Sequence, residues 1–418
     1  FGSSFFIPKN VIGTTAVIDT FILRFNYFMG AAVVNKAKAP TNAPTTEAAR
    51  RRLSVGHVDK NGEDADEGAT EEDRGTLKAL DEKDVLELLA GGDKAGGRRF
   101  SIGSDTDSGK TSFADKKVKE EGNDRTRDGL GYTCRKGLKP ESPNQDSWGV
   151  LKVADEFALY GVFDGHGQKG HDVSNMVKND LFKLIIKDLR FKTDEMPQML
   201  KDVFKNMQSL ITTADNMKRI SAQLSGTTAS VVIHDLQKKK LTIAHVADST
   251  VCMASWKDES RKELTCRALT RDHKPDLKDE QARIVSNGGR VIFDGYANYR
   301  IYSQKGRYPG LNMSRCLGDL LGHADAGISA EPEVVEIQLQ PLDHILFVCS
   351  DGVWEFMDPQ KAADVVHGFA PKNCQRAAEK LAKDAWDLWI REEGGAVVDD
   401  ITVLLVYLQE FGKPPAPP

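Results

Sequence analysis

The stretch Phe163-Asp164-Gly165-His166-Gly167 places a carboxylate and an imidazole on a turn of two glycines. Glycine lets a backbone bend and approach an ion closely without steric cost. Asp164 and the carbonyl of Gly165 are therefore candidate oxygen ligands for a hard divalent cation such as Mg²⁺ or Mn²⁺. His166, two residues along, can exchange a proton near neutral pH. Alone, Asp-Gly is first a turn signal. The arrangement recurs, however: Asn144-Gln145-Asp146 stands ahead of a strand, and Asp248 lies between two strands. Ser350-Asp351-Gly352-Val353-Trp354-Glu355 follows an apolar run, and Asp399-Asp400 opens the last strand. A carboxylate at a strand end is usually a solvated cap. Several of them beside runs as apolar as 345–349 and 403–408 would repel one another or take up protons unless cations neutralised them. That density points to a binuclear or trinuclear Mg²⁺/Mn²⁺ site, whose chemistry is activation of water for phosphoryl hydrolysis.

The elements that must hold these residues begin near Gly129, where short β-rich runs alternate with amphipathic helices. Strands are expected at 157–163, 227–234, 241–247, 251–256, 334–339, 345–350 and 401–408. Val173, Val177, Leu181, Leu184 and Ile185 make one helical stripe; Met196, Leu200, Val203, Phe204, Met207 and Ile211 make a second. Cys374, Ala377, Leu381, Leu388 and Trp389 make a third. The helices cluster in pairs instead of alternating with strands, so the fold class is α+β, with antiparallel sheets packed together and helices outside.

Composition sets the bounds. A chain of 418 residues, 40% hydrophobic, can bury a large core, and its net charge of −5 gives no electrostatic pull toward nucleic acid. Six cysteines without a CxxC pair fit reduced thiols in a cytoplasmic or nuclear protein and argue against zinc. Residues 1–35 are apolar, but Lys9, Asp19 and Arg24 interrupt them, so no transmembrane segment is expected. Residues 1–125 read as a mostly disordered leader, poor in aromatics and rich in small and charged residues. Within it, Leu77, Leu80, Val85, Leu88 and Leu89 predict a short amphipathic helix near 77–89. Two near-copies, Arg51-Arg52-Leu53-Ser54 and Arg98-Arg99-Phe100-Ser101, match basophilic kinase sites on a flexible arm, making Ser54 and Ser101 candidate phosphate acceptors. The catalytic domain is expected over 126–411, and 412–418 is a Pro-rich tail.

The ordered set of motifs resembles the protein phosphatase 2C family of metal-dependent Ser/Thr phosphatases. It comprises Asn144-Gln145-Asp146, Phe163 to Gly167, Ser225-Gly226-Thr227-Thr228-Ala229, Ala247-Asp248-Ser249 and Asp272-His273-Lys274-Pro275. After these come Ser314-Arg315-Cys316-Leu317-Gly318-Asp319, Glu331-Pro332-Glu333-Val334, Ser350 to Trp354 and Asp399-Asp400. The resemblance covers about 129–408, and the leader has no counterpart. It implies a four-layer α-β-β-α sandwich: two antiparallel sheets flanked by helix pairs, with metals at one edge. Asp164 would bridge two Mg²⁺ or Mn²⁺ ions, Gly165 would offer its carbonyl, and Asp351 and Asp399 would complete the pair. Asp146 and Gln145 would hold metal-bound waters, and Asp248 with Asp351 would take a third ion. His166 would protonate the leaving Ser or Thr oxygen while metal-bridging hydroxide attacks phosphorus in line, without a phosphoenzyme. Thr228 would lie near the metals.

Two positions depart from the family pattern. Where relatives carry a phosphate-gripping Arg, this chain has Lys139, with Arg135 nearby; Lys is a point charge without bidentate geometry. Where relatives carry Asp after the Asp-Gly-x-Trp turn, this chain has Glu355, which reaches one methylene further. The family's flap is expected within about 276–313, where Arg290, Arg300, Lys305 and Arg307 are either substrate contacts or solvated loop charges. Phosphoprotein substrates and an upstream basophilic kinase are the partners implied, for a monomer. A scaffold without turnover would be expected to lose core carboxylates, and Asp164, Asp351 and Asp399 all stand.

Overall fold

The computed structural model describes residues 99–408 apart from 106–108, 110, 123–128 and 142. The expected helix near 77–89, Ser54 and the tail 412–418 lie outside the described residues.

Two antiparallel sheets form the centre. The first runs β16 (Glu333–Gln338), β9 (Lys240–Val246), β8 (Ala229–Asp235), β5 (Phe157–Phe163), β4 (Ser147–Val153), β1 (Arg99–Ser104) and β2 (Val118–Gly122). The second runs β11 (Leu264–Ala268), β10 (Thr250–Trp256), β17 (Asp343–Cys349), β18 (Ile401–Tyr407) and β3 (Leu130–Arg135). Successive side chains of a strand point to opposite faces, and here both faces are covered. In β5, Ala158, Tyr160 and Val162 join the cluster between the sheets, while Phe157, Leu159 and Phe163 join the one under the helices. In β17, Leu346 and Val348 face the other sheet and Ile345, Phe347 and Cys349 face helices. Burial on both sides explains why these runs are apolar throughout instead of alternating.

Helices α1 (Gly170–Lys187) and α2 (Met196–Asn216) cover the first sheet; Val173, Val177, Leu181 and Ile185 give α1 its buried stripe. Two later helices, α6 (Pro359–Val366) and α7 (Cys374–Glu392), cover the second sheet. Asp358 caps α6, its side chain accepting the Lys361 N–H at 2.9 Å. The layers are helix, sheet, sheet, helix, as the motif order implies. Between β11 and α6 the chain builds a smaller unit from α3 (Lys278–Ser286) and a sheet of β12 (Gly289–Phe293), β13 (Tyr299–Ser303) and β14 (Pro309–Leu311). Beside it, β15 (Leu317–Gly318), β7 (Gly226–Thr227) and β6 (Gly165–His166) make a three-stranded patch, followed by α4 (Leu320–Asp325). A single turn, α5 (Asp351–Trp354), follows β17. Among the described residues, no helix is long and apolar enough to cross a membrane.

The sandwich reaches further toward the N-terminus than composition suggests. Residues 99–104 and 118–122, read as leader, are strands: β1 pairs with β4, and Phe100 and Ile102 are buried between the sheets. Ser101 therefore sits half-buried in a strand, opposite Glu121 and Leu151, and not on a flexible arm. The alternation of Phe100 and Ile102 with polar neighbours is too short to stand out from a polar context.

Candidate metal centre

Antiparallel pairing explains why distant carboxylates meet. Ser147 at the start of β4 is opposite Phe163 at the end of β5, so Asp146 and Asp164 leave the first sheet at the same end. In the second sheet Cys349 is opposite both Val403 and Thr250, so Asp351, Asp399 and Asp248 leave at one end too. Asp164, Asp351 and Asp399 line one cleft with Gly165, His166, Gly167, Gln145, Lys139, Glu141 and Met313. The backbone crowds closely here: a Cβ on Gly165 would stand 2.5 Å from the carbonyl oxygens of both Gln145 and Gly170. Only glycine fits that turn.

The acids disturb one another. Burial pushes Asp164 well above the usual carboxylate range, and the charges of Asp146, Asp351 and Asp399 add to it. Burial likewise raises Asp351, helped by Asp399 and Asp248. Asp146 is pushed up to about 6, by burial first and then by Asp400. Its Oδ2 accepts from Ser350 Oγ at 2.8 Å and Thr402 Oγ1 at 2.7 Å, whereas its Oδ1 is buried without a partner. Asp351 Oδ1 and Asp248 Oδ1 are buried and unpartnered as well. Buried oxygens left without a donor are costly, and three of them beside interacting carboxylates call for cations. An all-oxygen donor set fits a hard ion of the Mg²⁺ or Mn²⁺ kind.

The neighbours are organised around that need. Thr228 Oγ1 accepts the Asp164 N–H at 2.9 Å, and the Thr228 N–H returns to the Asp164 carbonyl at 2.9 Å. Gln145 Nε2 donates to the Gly167 carbonyl at 2.6 Å and braces the glycine turn. Asp400 is not in the cleft lining; its carboxylate accepts the N–H groups of Gly137 at 2.7 Å and Gln145 at 2.8 Å. Burial works to raise Asp400, but Lys139, Lys136 and those two N–H groups outweigh it and hold it below the usual range. Lys274 pairs with Asp248 Oδ2.

Lys139 sits in the cleft, its ammonium bonded to Asp399 and 3.3 Å from Asp400. Burial opposes its charge; Asp399 and Asp400 overcome that and hold it well above the ordinary lysine range. Arg135 is engaged elsewhere: it bonds the Phe113 carbonyl at 3.3 Å, approaches Asp115 at 3.5 Å and does not line the cleft. Glu355 is exposed at the end of α5, its N–H bonded to the Asp351 carbonyl at 2.9 Å, and it too lies off the cleft lining. Of the smaller unit's cations, Arg300 is buried against Asp294, Lys305 pairs with Asp325, and Arg290 bonds the carbonyls of Ser303 and Gly306. Arg290 and Arg300 brace their own loop, and Lys305 ties it to the end of α4.

Four contributors carried no role in the sequence reading: Ser350 and Thr402 on Asp146, Lys274 on Asp248, and Asp319, whose Oδ2 bonds His166 Nε2. Lys274 and Asp319 stand inside motifs of the ordered set, which was their signal. Ser350 too opens a motif of the set, whereas Thr402 had no signal, since its role depends on pairing between β17 and β18.

The family model described as Protein phosphatase 2C matches residues 138–388. Among curated proteins, the probable protein phosphatase 2C 35 of Arabidopsis thaliana is 31% identical over 310 residues, covering 67% of this chain and 83% of that one. The probable protein phosphatase 2C 34 of the same plant is 29% identical over 290 residues, covering 65% and 79%. Among solved structures, a serine-threonine phosphatase 2C from Toxoplasma gondii superposes with a TM-score of 0.57 at 22% identity, covering 66% of this chain and 94% of that one. At that identity the superposition speaks for the fold alone.

Proposed function

Since this chain belongs to the protein phosphatase 2C family of metal-dependent serine/threonine protein phosphatases, we propose that its cleft hydrolyses phosphoserine and phosphothreonine with Mg²⁺ or Mn²⁺ and without a phosphoenzyme. The observation that supports this most strongly is the set of buried, partnerless carboxylate oxygens on Asp146, Asp248 and Asp351, beside the mutually repelling Asp164 and Asp399. Asp164, the Gly165 carbonyl, Asp351 and Asp399 would hold two ions, with Asp146 and Gln145 behind them. Asp248 with Asp351 would take a third. When bound, the ions activate water for in-line attack on phosphorus and offset the phosphate's charge.

The remaining work falls to the chain's own groups. His166 lines the cleft, with its ring nitrogen Nδ1 buried and unpartnered, and donates a proton to the leaving Ser or Thr oxygen. The Lys139 ammonium supplies positive charge where the phosphate enters, as a point charge and not a fork. Among the described residues that line the cleft none is Ser, Thr or Cys, in keeping with direct attack by water.

The test is hydrolysis of a phosphothreonine peptide and of a small aryl phosphate, each with and without Mn²⁺. Metal-dependent turnover of the peptide is expected, lost in Asp164→Ala. Peptide binding without turnover would make the chain a scaffold, and turnover of the small ester alone would make it a different hydrolase.

A further inference from the structure

We propose that Asp319 is a positioning residue for the reaction, gripping the His166 ring by Nε2 so that Nδ1 is left for the leaving oxygen. This rests on the reading of His166 as proton donor given above.

The two side chains meet directly, Asp319 Oδ2 on His166 Nε2, and both are buried, 7% and 1% exposed. With Nε2 committed, Nδ1 is the nitrogen that remains, and it has no partner in a ring that lines the cleft. Asp319 is itself held from several sides. Its N–H donates to the Ser225 carbonyl at 2.9 Å, and the Cys316 thiol donates to the same Oδ2 at 3.2 Å. Its φ of 43° lies in the left-handed region that side chains with a Cβ disfavour. A backbone held there, with the carboxylate aimed at one ring nitrogen, is what a surface ion pair would not require.

The three-stranded patch explains how the geometry is kept. β6 carries His166, β7 lies in the middle, and β15 leads directly into Asp319. On β7, a Cβ at Gly226 would stand 2.1 Å from Asp319 Oδ2 and 2.8 Å from His166 Nε2, so the pair can meet only across a glycine. His166, Cys316 and Asp319 also bring ligand-type atoms within 4.8 Å of one another. A metal is the weaker reading, because Nε2 and Oδ2 are in hydrogen-bond contact, closer than two ligands of one tetrahedral ion can stand.

In the step itself, a bond forms from water oxygen to phosphorus and the bond from phosphorus to the Ser or Thr oxygen breaks. That bond's electron pair stays on the leaving oxygen, which takes the Nδ1 proton, and the water's proton passes to solvent. The ring is left with its Nε2 proton on Asp319. The logic is that of a carboxylate fixing the tautomer and orientation of a working imidazole.

Asp319→Asn keeps size and removes the carboxylate. A poor alkoxide leaving group needs the proton and an aryl leaving group does not. The expected result is a loss in kcat of about 10²-fold on a phosphothreonine peptide, against less than about 5-fold on p-nitrophenyl phosphate, with KM and Mn²⁺ affinity held. The double variant D319N/H166A is expected to lose no more than H166A alone. Equal losses on both substrates, or full peptide activity in D319N, would overturn the proposal. If instead His166→Ala spares the peptide, the reading of His166 has failed, and if the wild type turns over neither ester, the phosphatase reading has. A ring ¹⁵N spectrum of the unmodified chain needs no variant to fold: the neutral His166 ring is expected to carry its proton on Nε2, and a proton on Nδ1 would overturn the proposal.

Discussion

At the scale of single residues, the centre is defined by acids that destabilise one another until cations arrive. Asp164→Ala is expected to lower turnover by at least about 10²-fold, since even partners that only orient metal ligands commonly cost 10–100-fold. A metal-free melt should look ordinary or improved, because one of the repelling charges is gone. The pH dependence has a definite sign. Asp146 in the metal-free protein titrates at about 6, above its ordinary 3.8, because burial and then Asp400 disfavour its charge. The folded state therefore binds that proton more tightly than the unfolded state. Its contribution is present in full below about pH 4 and is lost as pH rises through about 6. Asp164 and Asp351 shift in the same direction. Thermal melts should thus show the gain in Tm from Mn²⁺ growing between pH 5 and pH 7.5, as protons cease to compete with the ion. A gain independent of pH over that window would mean that the ions bind elsewhere. Residues whose chemistry announces itself, the Asp-Gly turns and His166, were legible in sequence. Lys139 was legible as a cation, but its engagement with Asp399 and Asp400 depends on loops that only the folded chain brings together.

At the scale of elements, runs such as 157–163 and 401–407 were readable because burial on both faces makes them apolar without interruption. The stripes of α1, α2 and α7 were readable by their period. β1 was not: its short run is set in a polar, glycine-rich stretch, and the partner strand that gives it a reason to be buried lies well downstream in β4. Its weight can be measured. Phe100 is 0% exposed, and Phe100→Ala should cost about 3–5 kcal/mol in a denaturant melt. Removing residues 1–125 deletes β1, β2 and Lys116, whose ammonium bonds the Asp146 carbonyl. That truncation should lower both stability and turnover. Unchanged stability would show that the first sheet ends at β4.

At the scale of the whole molecule, two sheets present carboxylate-bearing strand ends to one cleft, where Asp164 and Asp399 are buried enough for their charges to matter. Family membership accounts for the reaction class; the arrangement of donors accounts for why ions are needed. The smaller unit of α3 and β12 to β14 uses Arg290 and Arg300 on its own carbonyls and carboxylates and Lys305 on Asp325 of α4, so substrate preference should respond weakly to substituting them and strongly to Lys139→Ala, read as a rise in KM for the phosphopeptide. The most direct measurement is anomalous diffraction from crystals of the full chain grown with Mn²⁺. Peaks should stand in the cleft within about 2.1–2.3 Å of carboxylate oxygens of Asp164, Asp351 and Asp399. An empty cleft, or Mn²⁺ bound instead among His245, His273 and Glu333, would contradict it.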